Sequence, residues 1–247
     1  MNDNGELFDS EDFQLPDIGD FDLPDLDMDD FMPAVADDTE ETRYLKPKVV
    51  PMRKDGILYD NAVKMARELR LGFGERFDAF VSGSFIFGDF IEAYMVEHQA
   101  CAKKMTISTL SLGQDNVDSL NLLLEKGYIK ELNLIVSVYF WANERHGLIP
   151  YIYRQLDLGG KFQLAVAGIH TKTAQFETLG GRKIVMHGSA NLRSSGSIEQ
   201  FTIEESPELY DFYDEHLSRI VEKYKTINKA VRNSAAWDTL TKKRFKD

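Results

Sequence analysis

Apolar and polar positions follow two different periods between about residue 56 and residue 224. Apolar residues spaced three and four apart share one face of a helix, and they predict helices over 61–71, 87–97, 117–126, 148–156 and 207–224. Runs rich in β-branched and apolar residues predict strands over 77–81, 104–112, 132–140, 162–175, 183–188 and 200–204. Strands that alternate with helices indicate an α/β fold.

The sheet of this fold is expected to be covered on both faces. The segment 132–140 is almost continuously apolar, which is typical of a strand with helices on either side. Ser206, Pro207 and Glu208 predict a helix start, with a capping hydroxyl, a proline at the first position and an acid in the first turn. We therefore predict a mixed, mostly parallel β-sheet flanked by helices.

The first 45 residues have a different composition from the rest of the chain. Acidic residues are interspersed with isolated Phe, Leu, Ile and Met, which are too sparse to offset the entropy of ordering. This pattern predicts a disordered acidic tail over 1–45, an α/β domain over 46–225 and a basic tail over 226–247. The acidic tail is interpreted as a linker, as a docking segment for a protein partner, or as an autoinhibitory segment that occupies a basic groove.

Charge is distributed unevenly along the chain. The net charge is -12, yet residues 1–42 alone carry 16 acidic residues and no Lys or Arg, which leaves +4 for residues 43–247. Residues 218–247 hold 9 basic against 3 acidic residues. A basic body with a more basic end predicts a polyanionic partner.

Several classes of protein are disfavoured by the composition. The single cysteine, Cys101, allows no disulfide within the chain and no zinc site built on cysteine spacing. No charged and apolar leader opens the chain, and no apolar run approaches the ~20 residues that span a bilayer. We expect a cytoplasmic protein that does not interact with membranes.

Residues suited to phosphoryl transfer occur in three neighbouring segments. His170 and Lys172 are two residues apart in a predicted strand and so should share a face, as should Ser189 and Asn191 at the end of the next strand. Glu199 lies at the start of a third strand. A lysine with neutral donors can hold phosphate oxygens, and a histidine oriented by a carboxylate can attack phosphorus.

These segments resemble the phospholipase D superfamily. The family motif is His-x-Lys, four residues and an Asp, followed by a Gly-Ser-x-Asn block; here the chain has HTK at 170–172, Glu177 in the Asp place and GSAN at 188–191. The resemblance is specific over 162–220 and concerns only the order of strands and helices over 77–161. The substitution of Glu177 for Asp keeps the charge but alters the local geometry.

The resemblance implies a role for each matching residue. His170 is expected to form a phosphohistidine or to protonate the leaving oxygen. Lys172 and Asn191 are expected to bind the phosphate, and Ser189 to support them, together with Glu177. Glu199 is expected to hold the histidine.

The family mechanism needs two such motifs, and this chain has one. None of the other four histidines is followed by a residue and then a lysine. The resemblance therefore implies a homodimer whose two copies share one active site at a twofold axis.

The composition and the resemblance together predict a metal-independent phosphodiesterase without a cofactor, most specifically a nuclease, with DNA favoured over RNA as the substrate. Two alternatives remain open. One is a catalytically silent nucleic-acid-binding accessory module on the same scaffold. The other is a phospholipid hydrolase, which is disfavoured because no apolar loop or amphipathic anchor is evident.

Overall fold

The computed structural model describes residues 58–59, 61–82, 85–157, 159–193 and 196–226. The strands are β1 (Leu58–Tyr59), β2 (Arg76–Val81), β3 (Ala102–Thr109), β4 (Leu132–Ser137), β5 (Phe162–Ala167), β6 (Thr173–Thr178), β7 (Lys183–Gly188) and β8 (Glu199–Glu205). The helices are α1 (Ala62–Glu68), α2 (Phe87–Glu97), α3 (Gln114–Glu125), α4 (Val138–Glu144), α5 (Leu148–Leu156) and α6 (Pro207–Tyr224). The predicted acidic and basic tails lie outside the described residues, apart from Thr226.

The described strands form one eight-stranded sheet in the order β1-β2-β8-β7-β6-β3-β4-β5. The α/β class and the mixed sheet are confirmed, but the expectation of a mostly parallel sheet is corrected. Only β1/β2, β3/β4 and β4/β5 pair in parallel, while the four central pairs are antiparallel. The reason is visible in the sequence, because no helix lies between β5 and β8 and short connections favour antiparallel neighbours.

The two faces of the sheet are covered by different helices. One face buries the main core, in which Phe90, Trp141, Phe176 and Phe201 are almost inaccessible to solvent. On the other face α6 packs on β5, β6 and β7, and its apolar stripe forms a second small core with β4 and β5. The predicted start of α6 is confirmed, since the Ser206 side chain accepts a hydrogen bond from Leu209 N.

One edge of the sheet collects the chain segments that matter below. At this upper edge β2, β3, β4, β5 and β7 end, while β6 and β8, which run in the opposite direction, begin. The register pairs Val81 with Glu199 and Thr173 with His187. The residues that follow β7 therefore lie beside those that precede β6 and β8.

Two predicted strands are shorter in the structure than the apolar pattern indicated. The predicted strand 162–175 is divided into β5 and β6, so that residues 168–172 form the connection between them. The predicted strand 132–140 ends at Ser137, whose side chain accepts a hydrogen bond from Phe140 N and caps α4. After Ser137 the apolar run continues into α4, and only the capping serine marks the end of the strand.

Candidate active site

Lys172 and His170 are in direct contact just before β6. Lys172 Nζ lies 2.9 Å from His170 Nδ1 and donates a second hydrogen bond of 2.9 Å to the His170 carbonyl oxygen. The Lys172 side chain is buried at 8% exposure, whereas His170 is exposed. The two residues meet in the connection between β5 and β6, and not as alternate residues of a strand as predicted.

The environment of Lys172 acts against its positive charge. Burial lowers the pKa of Lys172 below its ordinary value because the ammonium loses its water, and the nearby negative charge of Glu199 opposes this shift. The hydrogen bonds of Lys172 nevertheless go to His170, a residue that need not carry a charge. A buried ammonium of this kind is well suited to receive an anion.

Ser189 and Glu199 form the second contact of the site, between the end of β7 and the start of β8. The Ser189 hydroxyl donates to Glu199 Oε2 and accepts a 2.9 Å hydrogen bond from Gln200 N. The two segments are also joined by a 3.0 Å backbone hydrogen bond from Ser189 N to Gln200 O. Ser189 is therefore fixed at three points, and it positions the Glu199 carboxyl group at the upper edge.

The glycine before Ser189 explains why this junction is so close. A Cβ atom at Gly188 would lie only 2.0 Å from Gln200 O, a distance that no side chain can adopt. Gly188 N also donates a 3.3 Å bond to Lys172 O, which fixes the backbone of Lys172. Gly188 thus allows the Lys172 segment, the Ser189 segment and the start of β8 to approach each other.

Asn191 follows on the same loop and is half-buried. The next residue, Leu192, anchors the loop, because its carbonyl oxygen accepts a 3.0 Å hydrogen bond from Gly88 N at the start of α2. Asn191 Oδ1 is buried and has no hydrogen-bond partner within the described part of the chain. Since buried polar atoms are nearly always satisfied, Asn191 Oδ1 has unused capacity to accept a hydrogen bond.

Ser108 is a supporting residue that the sequence analysis did not identify. It is fully buried at the end of β3, and its hydroxyl lies 2.6 Å from Thr171 Oγ1 and 3.0 Å from Thr173 Oγ1. These contacts hold the residues on both sides of Lys172. Its place at the end of β3, at the edge where the other site segments lie, was not visible from the sequence.

The expectation that Glu177 supports the phosphate site is corrected. Glu177 lies five residues beyond Lys172, roughly 16 Å along β6, and alternation turns it to the other face of the sheet. Its carboxylate pairs with Lys103 Nζ at 2.6 Å. The spacing of the motif is therefore retained while the residue itself lies away from the site.

The structure thus brings His170 to Lys172 and Ser189 to Glu199, at adjacent positions along the upper edge. His170 Nδ1 faces Lys172, and the hydrogen bond of Glu199 to Ser189 differs from the contact with His170 that was predicted. The role of Glu199 as the acid that holds His170 stays a prediction. Within the described ranges no three His, Cys, Asp or Glu side chains are grouped as ligands for a metal ion.

The folded part is not the source of the basic charge that the sequence analysis assigned to the body of the protein. Residues 61–226 contain 18 Lys and Arg against 21 Asp and Glu, a net charge of −3. The basic excess lies in the flanks, since residues 43–54 contain five Lys or Arg and no acid, and residues 227–247 contain six against two acids. Both flanks lie outside the described residues.

No protein-family model and no curated protein matches this chain. Among solved structures it is similar to Nuc from Salmonella typhimurium, at 14% identity and a TM-score of 0.38, over 50% of this chain and 81% of the other. Nuc is a phospholipase D family member.

Two further structures show a likeness of the same order. NucT from Helicobacter pylori is 15% identical, with a TM-score of 0.45, over 60% of this chain and 97% of the other. A phosphatidylserine synthase from Haemophilus influenzae is also 15% identical, with a TM-score of 0.45, over 68% of this chain and 44% of the other. At these identities the likeness concerns the fold, and the chemistry of the site follows from its own residues.

No helix in the described part of the chain combines the length and the apolar character needed to cross a membrane.

Proposed function

We propose that this protein is a phosphodiesterase, most specifically a nuclease, that acts through a phosphohistidine and shares one active site between two copies of the chain. The observation that carries the proposal is the contact between a buried lysine and an exposed histidine at the sheet edge. A buried ammonium provides a site for the phosphate anion, and an exposed imidazole provides a nucleophile.

His170 would attack phosphorus through Nε2. Its other ring nitrogen, Nδ1, is turned towards Lys172, so Nε2 is the nitrogen that faces an incoming substrate. The new N–P bond forms as the bond between phosphorus and the leaving oxygen breaks. Water then attacks phosphorus, the N–P bond breaks, and the imidazole is regenerated.

Lys172 and Asn191 would hold the non-bridging phosphate oxygens. Lys172 contributes a positive charge in a water-poor environment, where it stabilises the developing negative charge more than it would in water. Asn191 would donate to a phosphate oxygen through its amide nitrogen, because its unpartnered Oδ1 can only accept a hydrogen bond. Ser189 would keep Glu199 in place, and Glu199 would act on the imidazole or on the charge of Lys172.

The leaving oxygen needs a proton, and neither His98 nor His187 is placed to supply it. His98 lies roughly 16 Å along α2 from the start of that helix at the upper edge, and its Nε2 is 2.8 Å from Ala66 O. His187 lies on the other face of the sheet and stacks on Tyr213. A second copy of His170, supplied by a twofold-related chain, would provide the acid.

Nucleic acid is the substrate that the charge distribution favours. The folded part is slightly acidic, so the affinity for a polyanion would come from the flanks 43–54 and 227–247 together with Lys172. The proposal therefore predicts that removal of either flank weakens binding of DNA and reduces its salt dependence, with little change in the cleavage of a small phosphodiester.

The class of reaction is tested by a nuclease assay in EDTA. We expect the wild-type protein to cleave DNA and bis-p-nitrophenyl phosphate, and the His170→Ala variant to lose both activities. The native mass of the assembly is measured on the same samples. Equal activity of the variant would contradict the proposal, as would a fully active monomer.

The shared site is tested by mixing. Wild-type and His170→Ala chains are co-expressed with different tags at a series of ratios, so that mixed dimers form. If both His170 residues serve one phosphodiester, activity should fall with the square of the wild-type fraction, because only wild-type dimers are competent. A linear fall would indicate that each chain has a complete site of its own.

A further inference from the structure

The contact between Lys172 and His170 conflicts with the chemistry proposed for His170. Attack through Nε2 requires a lone pair on that nitrogen, so a neutral ring must carry its proton on Nδ1. In the structure, however, Nδ1 lies 2.9 Å from Lys172 Nζ, which also donates to the His170 carbonyl oxygen. An ammonium group has donors and no acceptor, so Nδ1 must accept, and the ring proton then belongs on Nε2.

We propose that Lys172 keeps His170 in the Nε2–H tautomer, which cannot attack, until a phosphate anion draws the lysine away from the ring. The inference rests on the proposed function and concerns the regulation of that site. The group to be attacked would itself release the nucleophile. A histidine with no phosphate beside it would stay unreactive.

The energetics favour this exchange of partners. Lys172 is buried at 8% exposure, and its hydrogen bonds are with an imidazole nitrogen and a backbone carbonyl, both of them uncharged acceptors. A phosphate anion would replace these contacts with a charge-assisted hydrogen bond in a medium of low polarity, which is stronger. The long, flexible lysine side chain can turn from one partner to the other without a change in the backbone.

The protons balance without any further reactant. When Lys172 turns to the phosphate, Nδ1 takes a proton from water and Nε2 returns one to water, so the ring stays neutral. Glu199, whose charge already acts on Lys172, is a carboxylate on the same edge that can accept from the new Nδ1–H. Nε2 then has the lone pair that attack requires.

The tautomer can be observed directly by nitrogen NMR of histidine-labelled full-length protein at about pH 8, where an ordinary imidazole is neutral. The chain has five histidines, and the His170→Ala spectrum assigns the signal of interest. His98 is an internal reference, because its Nε2 faces the Ala66 carbonyl and must carry the proton in every sample. We expect the Nε2–H form of His170 in buffer and a shift to the Nδ1–H form in inorganic phosphate, but not in sodium chloride of equal ionic strength.

The Lys172→Met variant gives a second measurement. Without the ammonium, the Nε2–H fraction of His170 should fall to that of a free histidine side chain even when phosphate is absent, while His98 stays unchanged. An Nδ1–H form of His170 in the free wild-type protein would overturn the inference, as would a tautomer that does not respond to saturating phosphate. The NMR measurement does not depend on turnover. If the protein cleaves DNA but His170 does not change its tautomer with phosphate, only this inference is rejected. If phosphate changes the tautomer but the protein does not cleave DNA, only the proposed nuclease is rejected.

Discussion

Both ends of the central strands carry a buried charge, but the hydrogen-bond partners of the two charges differ. At the lower edge, where β8 ends, Glu205 is 2% exposed and accepts from the Arg182 guanidinium, with Arg182 Nε 2.9 Å from Oε2. At the upper edge the buried Lys172 meets a histidine ring and a carbonyl group. One charge is paired with its opposite, and the other is left with partners that need not be charged.

The pKa values of the two cations shift in opposite directions. The hydrogen bond to Glu205 raises the pKa of Arg182, whereas burial lowers the pKa of Lys172. A cation that is stabilised by a carboxylate contributes to folding and has little to offer a ligand. A cation that is buried without such a pair costs folding energy and gains most when an anion arrives. The comparison therefore separates an end of the sheet that is suited to a structural role from the end at which we propose the functional site.

Replacement of Lys172 with Met should produce the largest change at the functional end. We expect activity on bis-p-nitrophenyl phosphate to fall by about 10³-fold, because the charge that stabilises the transition state is lost. The free energy of unfolding should stay equal or rise, since an apolar side chain of similar length replaces a buried ammonium. Initial rates and urea unfolding of the same preparation measure both effects.

Lys103→Met is the matched control for this change. Lys103 lies on β3, and it pairs with Glu177, away from the upper edge. Its loss removes the same charge from the protein, yet activity should be unchanged. If both variants lost activity equally, a general electrostatic effect would explain the result and the distinction between the two ends would fail.

Gly188→Ala should damage both stability and activity. The added methyl group would lie 2.0 Å from Gln200 O, so β8 must move away from β7 at the place where Ser189 and Glu199 meet. Overpacking of this kind costs typically about 1–3 kcal/mol, and we expect the upper end of that range because the neighbour is backbone. Gly181→Ala is the control. Gly181 lies in the turn before β7 and has a positive φ, so alanine there strains the backbone away from Ser189 and Glu199. This variant should lose stability but keep its activity per folded molecule.

At the structural end, Arg182→Met should destabilise the protein without a loss of activity per folded molecule. Glu205 would keep a buried charge without its arginine, and Glu205 Oε1 already lacks a partner among the described residues. We expect a loss of about 2 kcal/mol, less than for a fully buried pair because the Arg182 side chain is 43% exposed. The double variant Arg182→Met/Glu205→Met should recover most of that loss, and no loss in the single variant would refute the structural assignment.

The fold was predictable where one local pattern decides the structure. The helices over 87–97 and 148–156 are confirmed to the residue, and the Ser206 cap is confirmed by its hydrogen bond. The strand directions were not predictable from apolar runs, because pairing depends on which connections are short. Ser137 shows the same limit, since a capping hydroxyl inside an apolar run ends a strand that hydrophobicity alone would extend.

The sequence indicated which residues of the candidate site would lie near one another, but it did not indicate their contacts. The spacing of His170 and Lys172 predicts proximity in a strand and in a loop alike, and only the structure shows that Nζ faces Nδ1. Glu177 matches the motif in sequence and yet lies at the far end of β6, where it pairs with Lys103. Its spacing from Lys172 along an extended strand places it away from the other site residues. Ser108 was missed because its role depends on a neighbour that is distant in sequence.

His187 provides the smallest and most specific test of the comparison, because it lies close to the upper edge but faces away from the site. Burial lowers its pKa, the Arg76 charge lowers it further, and Asp78 opposes both. Below an ordinary imidazole pKa of about 6.5 the unfolded chain therefore binds a proton that the folded protein does not, so stability falls as the pH falls from that value through the lower folded pKa. His187→Gln should reduce this loss between about pH 7.5 and pH 5.5 in urea unfolding. The His187 variant should keep the proposed nuclease activity at constant pH, because the side chain faces away from the site. A loss of that activity would show that a residue on the other face of the sheet contributes to the site.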